Sequence, residues 1–254
     1  FNQFEGLGGD DTIIGNSNTA IAYFTSTSGV NVVFTSNNAG YADGTGTGHD
    51  TFTGVNNVTA TNLPYDVTID ARVNTSSLTL RGGSGNDTLY GGAGNDWFTG
   101  GGGNDYINGG GGSDGVDYSG TYGGSVTAGI SVALAAGTVT GNTSVGTDTL
   151  RSIEMINGSN YADIYDATGF GAASVNAGSI GTWNQFEGYA GDDTITGNNN
   201  TKIGYFHSTS GVNVVFTAAN AGYADGAATG HDVFSGVNQV AVSNYDSTVD
   251  GHAN

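Results

Sequence analysis

Cysteine is absent from the chain, proline occurs once, and only four residues are basic. The lack of cysteine excludes a disulfide framework and any zinc site built on thiolates. Four Lys and Arg side chains cannot neutralise a phosphate backbone, so no nucleic-acid partner is expected. No apolar run approaches the roughly 18 residues of a membrane-spanning helix. A transmembrane segment is therefore not expected either.

Glycine and aspartate are abundant instead. The chain of 254 residues holds 47 Gly and 23 acidic residues, and its formal net charge is −19. Twenty of the acidic residues are Asp and three are Glu. A hydrophobic fraction of 36% is enough for a core, so disorder is not expected. Helix formers are scarce, while Thr, Val, Asn and Gly dominate, which is typical of strands and turns. Because the chain begins at Phe1, we expect it to be a segment of a longer protein.

A long repeat organises the sequence. Residues 1–58 align with 183–240 at an offset of 182, with 43 identities in 58 positions, and a weaker copy lies between them. Repeats of this kind are typical of modular arrays. The expected modules are 1–81; 82–180, which contains a nonapeptide block at 82–117 and the second module; and 181–254, a truncated repeat of 1–72.

The nonapeptide block is the most specific motif. GGSGNDTLY, GGAGNDWFT, GGGGNDYIN and GGGGSDGVD follow one another without a gap over 82–117, and degenerate single copies occupy 6–14, 158–166 and 188–196. In each unit, glycines allow a tight turn and three extended residues follow it. The middle one is apolar and is expected to point inward: Leu89, Phe98, Ile107 and Val116.

Two such units make a flattened coil of 18 residues, and stacked coils bring aspartates into register. Asp87 and Asp105 are 18 residues apart and should share one edge, while Asp96 and Asp114 share the other. Stacked carboxylates repel one another without a cation. Calcium takes six to eight oxygens, which carboxylates and backbone carbonyls can supply, whereas magnesium demands stricter octahedral geometry. The pattern therefore predicts several Ca²⁺ ions as the cofactor.

The block resembles the RTX, or haemolysin-type, calcium-binding repeat. That resemblance implies a right-handed parallel β-roll or β-solenoid, continued by longer looped coils, that folds on calcium after type I secretion from a Gram-negative cell. It further implies ligands in the block, namely the carboxylates of Asp87, Asp96, Asp105 and Asp114 and the carbonyls of Gly82, Gly85, Gly91, Gly94, Gly100, Gly103, Gly109 and Gly112. Asp11, Asp163 and Asp193 are candidates too, although their turns lack one or more of the motif's glycines.

Other interpretations of these residues compete with calcium binding. Ordinary turns in a metal-free solenoid stay open for the isolated aspartates. Phosphate binding is disfavoured because no lysine follows the glycine loops. Asp50 and Asp232 follow His49 and His231, but the middle copy has Thr147 before its Asp148, which favours a turn or ligand role for these aspartates over catalysis.

Function follows from these expectations. The leading hypothesis is a non-enzymatic, calcium-binding structural segment of a large secreted or cell-surface protein, such as a surface layer, adhesin or extracellular filament. The alternative is an accessory calcium-binding or carbohydrate-binding module of an extracellular enzyme that acts on polysaccharide, with Trp97 and Tyr106 as outward rings. Besides calcium, the expected partners are further copies of the chain, through self-association, or cell-surface polysaccharide. The expected location is extracellular.

Overall fold

The computed structural model describes residues 1–61, 63–121 and 124–253. Within them the chain forms strands and no helix, which confirms the all-β prediction, and nothing there could span a bilayer as a helix. In chain order the strands are β1 (Asn2–Phe4), β2 (Thr12–Ile14), β3 (Thr19–Ala22), β4 (Asn31–Ser36), β5 (Ala39–Gly44), β6 (Gly48–Thr53), β7 (Asn57–Thr59), β8 (Thr68–Asp70), β9 (Thr79–Arg81), β10 (Thr88–Tyr90), β11 (Trp97–Thr99), β12 (Tyr106–Asn108), β13 (Gly115–Asp117), β14 (Ser131–Ala133), β15 (Thr138–Thr140), β16 (Thr147–Arg151), β17 (Met155–Asn157), β18 (Ile164–Asp166), β19 (Asn184–Glu187), β20 (Thr194–Gly204), β21 (Val212–Ala218), β22 (Ala221–Gly226), β23 (Gly230–Ala241) and β24 (Thr248–Asp250).

Alternate strands of the nonapeptide block pair in parallel. Leu89 of β10 lies opposite Ile107 of β12, and Phe98 of β11 lies opposite Val116 of β13. Consecutive strands therefore belong to two different ladders, as expected for a coil of two nonapeptides. The first ladder is parallel throughout and runs in the order β1, β3, β7, β9, β11, β13, β17, β19, β20 and β23.

The second ladder is parallel but is interrupted by three antiparallel meanders. They consist of β4–β5–β6, β14–β15–β16 and β21–β22–β23. The longer looped coils expected outside the block are thus hairpins. Asn38 and Asn220 close the first hairpin of the outer meanders with φ of 56° and 57°, a left-handed conformation that asparagine accepts more readily than most residues.

Each ladder contributes a single row of buried side chains to the core. The central residue of every strand in the block is fully buried, as predicted: Leu89, Phe98, Ile107 and Val116. In the first ladder the row continues beyond the block through Ile156 and Phe186. One inward side chain per rung is what a coil this thin can hold.

The outward rings of the block are half-buried against their neighbours. The ring centroids of Tyr90 and Tyr106 are 5.6 Å apart, so these rings pack along the sheet. The ring of Trp97 covers Gly115, which has no side chain to compete for that space.

The two long copies place the same contacts at the same positions. Asn2 pairs with Thr19 as Asn184 pairs with Thr201, and Ile13 pairs with Phe52 as Ile195 pairs with Phe234. The division at 81 and 180 stays a prediction, because the parallel ladder passes through both positions.

Candidate metal site

The four aspartates of the block form two columns. The backbone N–H of Asp87 donates to Oδ1 of Asp105 at 2.8 Å, and that of Asp96 donates to Oδ1 of Asp114 at 2.7 Å. All four are at most 2% exposed, although each carries an ionisable carboxyl group. Each carboxylate thus accepts a hydrogen bond from the turn stacked next to it.

Both columns continue beyond the block. Asp105 donates through its N–H to Oδ1 of Asp148, and Asp114 donates to Oε2 of Glu154, each at 2.9 Å. The Gly-Thr-Asp triplet had marked Asp148 as a candidate. Glu154 had no sequence signal, because it follows Ser152 and Ile153 rather than a glycine turn.

The isolated aspartates build two further columns. The N–H of Ile130 donates to Asp163, that of Asp163 to Asp193, and that of Asp193 to Asp232, over 2.8–3.0 Å. In the first module the N–H of Asp11 donates to Asp50 at 3.1 Å. The degenerate turns therefore stack in the same way as the tandem ones.

The second carboxylate oxygen differs between rungs. In the first rungs, Oδ2 of Asp87 accepts from Gly83 N–H at 2.6 Å and Oδ2 of Asp96 accepts from Gly92 N–H at 2.7 Å. Asp163 likewise has both oxygens occupied, because the N–H and hydroxyl of Ser159 donate to them at 2.7 Å. These carboxylates are satisfied by the protein alone.

The last rungs are closed by other donors. The hydroxyl of Tyr118 donates to Oδ2 of Asp148 at 2.9 Å, and that of Tyr205 donates to Oδ2 of Asp232 at 3.0 Å. Glu154 closes its column by accepting from Ser179 N–H at 2.7 Å. Tyr118 is buried, and burial beside Asp148 raises the pKa of its hydroxyl, so it stays a donor.

The middle rungs have no such donor. Oδ2 is buried without a hydrogen-bond partner among the described residues in Asp105, Asp114 and Asp193, and the same is true of Asp11. A buried ionised oxygen without a partner is strongly unfavourable. We call these four atoms the unpartnered oxygens.

The pKa values reflect this distinction. Burial, followed by Asp96 and Glu154, raises the pKa of Asp114 to about 8. Burial, followed by Asp232 and Asp163, raises the pKa of Asp193 to about 9. Burial and the neighbouring Asp148 raise the pKa of Asp105 as well. The first rungs are less affected, since the pKa of Asp87 rises only to about 6 where backbone N–H groups offset its burial.

The first glycine of each unit leaves room for the second carboxylate oxygen of that unit's aspartate. A Cβ on Gly82 would collide with Oδ2 of Asp87 and the carbonyl oxygen of Gly100, and one on Gly91 would collide with Oδ2 of Asp96 and the carbonyl oxygen of Gly109. Carboxylate and carbonyl oxygens therefore converge beside the first glycine. Such hard oxygen donors suit calcium.

The donor set fits calcium if backbone oxygens complete it. No group of three or more His, Cys, Asp or Glu side chains that could hold a metal occurs in the part of the chain that the structure describes. A calcium site here must then combine one or two carboxylates with carbonyls of the turns. The unpartnered oxygens mark where a cation would remove an unfavourable burial.

The histidine and aspartate pairs lie apart from these columns. Nδ1 of His49 is 2.6 Å from Oδ1 of Asp43, and Nδ1 of His231 is 2.6 Å from Oδ1 of Asp225. All four side chains are about half exposed. Asp50 and Asp232, the neighbours of these histidines in sequence, point instead into the columns.

Comparison with known families decides the nature of the repeat. The model of the RTX calcium-binding nonapeptide repeat matches in four copies, over residues 1–18, 81–116 and 181–201. The chain contains RTX-type calcium-binding nonapeptide repeats. The matches include the turns of Asp11 and Asp193, whose oxygens are unpartnered, and not that of Asp163, whose oxygens are both occupied. Calcium binding is the property of this repeat family, whereas no curated protein matches the chain.

Proposed function

We propose that the chain is a calcium-dependent structural segment of a secreted or cell-surface RTX protein. The observation that carries this proposal is the unpartnered carboxylate oxygen that each of the four columns contains, on Asp11, Asp105, Asp114 or Asp193. Calcium bound there, with turn carbonyls as further ligands, would stabilise the fold by its binding free energy, because an unfolded chain offers no preformed site. Low calcium inside the cell would keep the chain unfolded for type I export.

The proposed ligands follow the rungs. Asp105 and Asp114 supply unpartnered oxygens within the block, and Asp11 and Asp193 do so in the outer modules. Asp87 and Asp96 become ligands when their second oxygen exchanges its backbone N–H hydrogen bond for calcium. The carbonyls proposed with them are those of the turn glycines: Gly82, Gly85, Gly91, Gly94, Gly100, Gly103, Gly109 and Gly112. Asp163 is the weakest candidate because Ser159 occupies it.

We further propose that the modules set the length of a surface layer, adhesin or filament and carry no catalysis. The recurrence of one antiparallel meander in each module supports a unit that is added repeatedly. The exposed His49 and His231 pairs recur in the two outer modules, which suits a surface contact better than a single active site.

Chelation tests the calcium proposal. A chelator at neutral pH should abolish the β-sheet signal in far-ultraviolet circular dichroism, and added calcium, but not magnesium at equal ionic strength, should restore it. A β-sheet spectrum that persists in chelator at neutral pH contradicts the proposal.

One observation favours the second role, an accessory module that binds polysaccharide. A pocket lined by aromatic rings lies on the outer face of the parallel ladder, beside β17 and β19.

A further inference from the structure

The aromatic pocket has a volume of about 310 Å³, at the lower end of the range for small-molecule sites. Trp97 forms one wall, and Tyr189 and Phe206 contribute two more rings. Phe206 is 44% exposed, so its ring faces the solvent rather than the core.

Trp97 reaches the pocket because the repeat changes at one position. The seventh residue of the nonapeptide is Thr88, Trp97 and Tyr106 in the first three units, but Gly115 in the fourth. The indole ring lies over this glycine, in space that any other side chain would fill. Trp97 can therefore form the wall because the fourth unit has a glycine where the other three have a side chain.

Tyr189 and His207, which also line the pocket, stack on one another. Their ring centroids are 5.0 Å apart and their planes are inclined by 13°. The side-chain amide of the buried Asn157 donates to the Tyr189 hydroxyl at 3.1 Å and to Asp117 at the same distance. These contacts hold the ring in one orientation.

The pocket also contains a carboxylate, Glu187, which already has hydrogen-bond partners. Glu187 is 2% exposed, and its Oε1 accepts from the N–H of His207 at 2.7 Å. Its Oε2 lies 3.1 Å from Nδ1 of the same histidine. A cationic ligand would therefore compete with His207 for this carboxylate.

We infer that this pocket binds one pyranose unit of a neutral saccharide. Aromatic rings present apolar faces to the C–H groups of a sugar ring, and the amide of Gln185 can both donate to and accept from hydroxyl groups. A net charge of −19 opposes acidic polysaccharides. This inference deepens the second proposed role and requires the calcium columns only to keep the chain folded.

The first module supplies the matched control. Leu7 stands where the last module has Tyr189, and both have a φ of 65°. Thr25 stands in place of His207, and its N–H and hydroxyl both donate to Glu5 at 2.8 Å. The same backbone therefore tolerates Leu and Thr, without the rings.

The test uses the calcium-saturated chain and isothermal titration with neutral oligosaccharides of glucose, mannose, galactose and N-acetylglucosamine. Tyr189→Leu, His207→Thr and Trp97→Thr should each lower the affinity for the bound oligosaccharide about tenfold or more. Tyr106→Thr, which removes a ring at the same repeat position outside the pocket, should leave it unchanged.

Three results overturn the inference: no oligosaccharide binds at millimolar concentration, the pocket variants bind like the parent chain, or tetramethylammonium binds in place of sugar. Circular dichroism of each variant in calcium separates these results from a failure to fold. A chain that stays folded in chelator and binds sugar contradicts the calcium proposal and leaves the pocket standing.

Discussion

The turns at 103–105 and 146–148 both carry a Gly-x-Asp triplet and stack on one another, yet their carboxylates meet different surroundings. The second oxygen of Asp148 accepts from Tyr118, whereas that of Asp105 has no partner. The last module repeats this contrast between Asp232, which accepts from Tyr205, and Asp193. One backbone motif thus occurs in two settings: the carboxylates of the closing rungs have protein donors, whereas those of the middle rungs are where we propose that a cation binds.

The largest effect should come from pH in the absence of calcium. The pKa values of Asp105, Asp114 and Asp193 are raised in the folded state, so their protonated forms favour folding. This stability is present below the unfolded pKa of about 3.9 and is lost as the pH rises through the folded values. In chelator, lowering the pH from 9 to 5 should stabilise the fold by on the order of 5 kcal/mol.

Circular dichroism in chelator across that range measures the effect, and the same scan in saturating calcium is the control. The β-sheet signal should appear on acidification only in chelator. A calcium-free chain that loses structure as the pH falls from 9 to 5 would show that the middle rungs are not the sensitive ones.

The next largest loss of stability should follow the addition of a Cβ atom at the first glycine of a nonapeptide. Gly91→Ala places a methyl group against Oδ2 of Asp96 and the carbonyl of Gly109, and should cost about 3 kcal/mol or more. Gly111→Ala is the control, because its Cβ would meet only the Cα of Ala93, at 3.8 Å. Urea unfolding in calcium compares them, and equal losses of stability would remove the special role of the first glycine.

Closing rungs should respond to loss of the tyrosine hydroxyl. Tyr205→Phe leaves Oδ2 of Asp232 without its donor and should cost about 1–3 kcal/mol in saturating calcium. Tyr23 is the equivalent residue of the first module. Its buried hydroxyl lies beside Asp50 without a hydrogen bond of full geometry, although burial and Asp50 together raise its pKa. Tyr23→Phe should therefore cost less stability than Tyr205→Phe in the same urea experiment. A larger loss for Tyr23→Phe than for Tyr205→Phe would contradict the closing role.

The smallest effect belongs to an outer column of amides one residue before the carboxylates. Asn86 accepts from the N–H of Asn104, and Asn104 accepts from that of Thr147, each at 2.8 Å and exposed to solvent. Asn104→Ala should cost about 0.5–1.5 kcal/mol without changing calcium binding, because water can replace the lost bond. Urea unfolding and a calcium titration of the variant check both statements. A weakened affinity for calcium would make the outer column part of the metal site.

Much of this contrast could be predicted from sequence, but the decisive part could not. The nine-residue period locates the turns, the inward Leu89 and Phe98, and the stacking of Asp87 on Asp105, because all of these are local or 18 residues apart. Which oxygen stays unpartnered depends on Tyr118 and Ser179, which donate to Asp148 from 30 residues away and to Glu154 from 25 residues away. No local spacing encodes those contacts.

The meanders and the aromatic pocket were missed for a related reason. The parallel repeat predicts parallel neighbours, whereas β5, β15 and β22 turn back on hairpins that the loop sequences only weakly signal. The sequence marks Trp97 as an outward ring, but it takes the register of β11, β13, β17 and β19 to bring it into one pocket with Tyr189.

The number of calcium ions bound per folded chain tests the central claim most directly. Native mass spectrometry in saturating calcium should show one ion fewer for Asp193→Asn, which removes an unpartnered oxygen, and an unchanged number for Asp163→Asn in the same column. Circular dichroism confirms that each variant is folded. An unchanged number in Asp193→Asn, or an equal loss in Asp163→Asn, would contradict the assignment of calcium to the unpartnered oxygens.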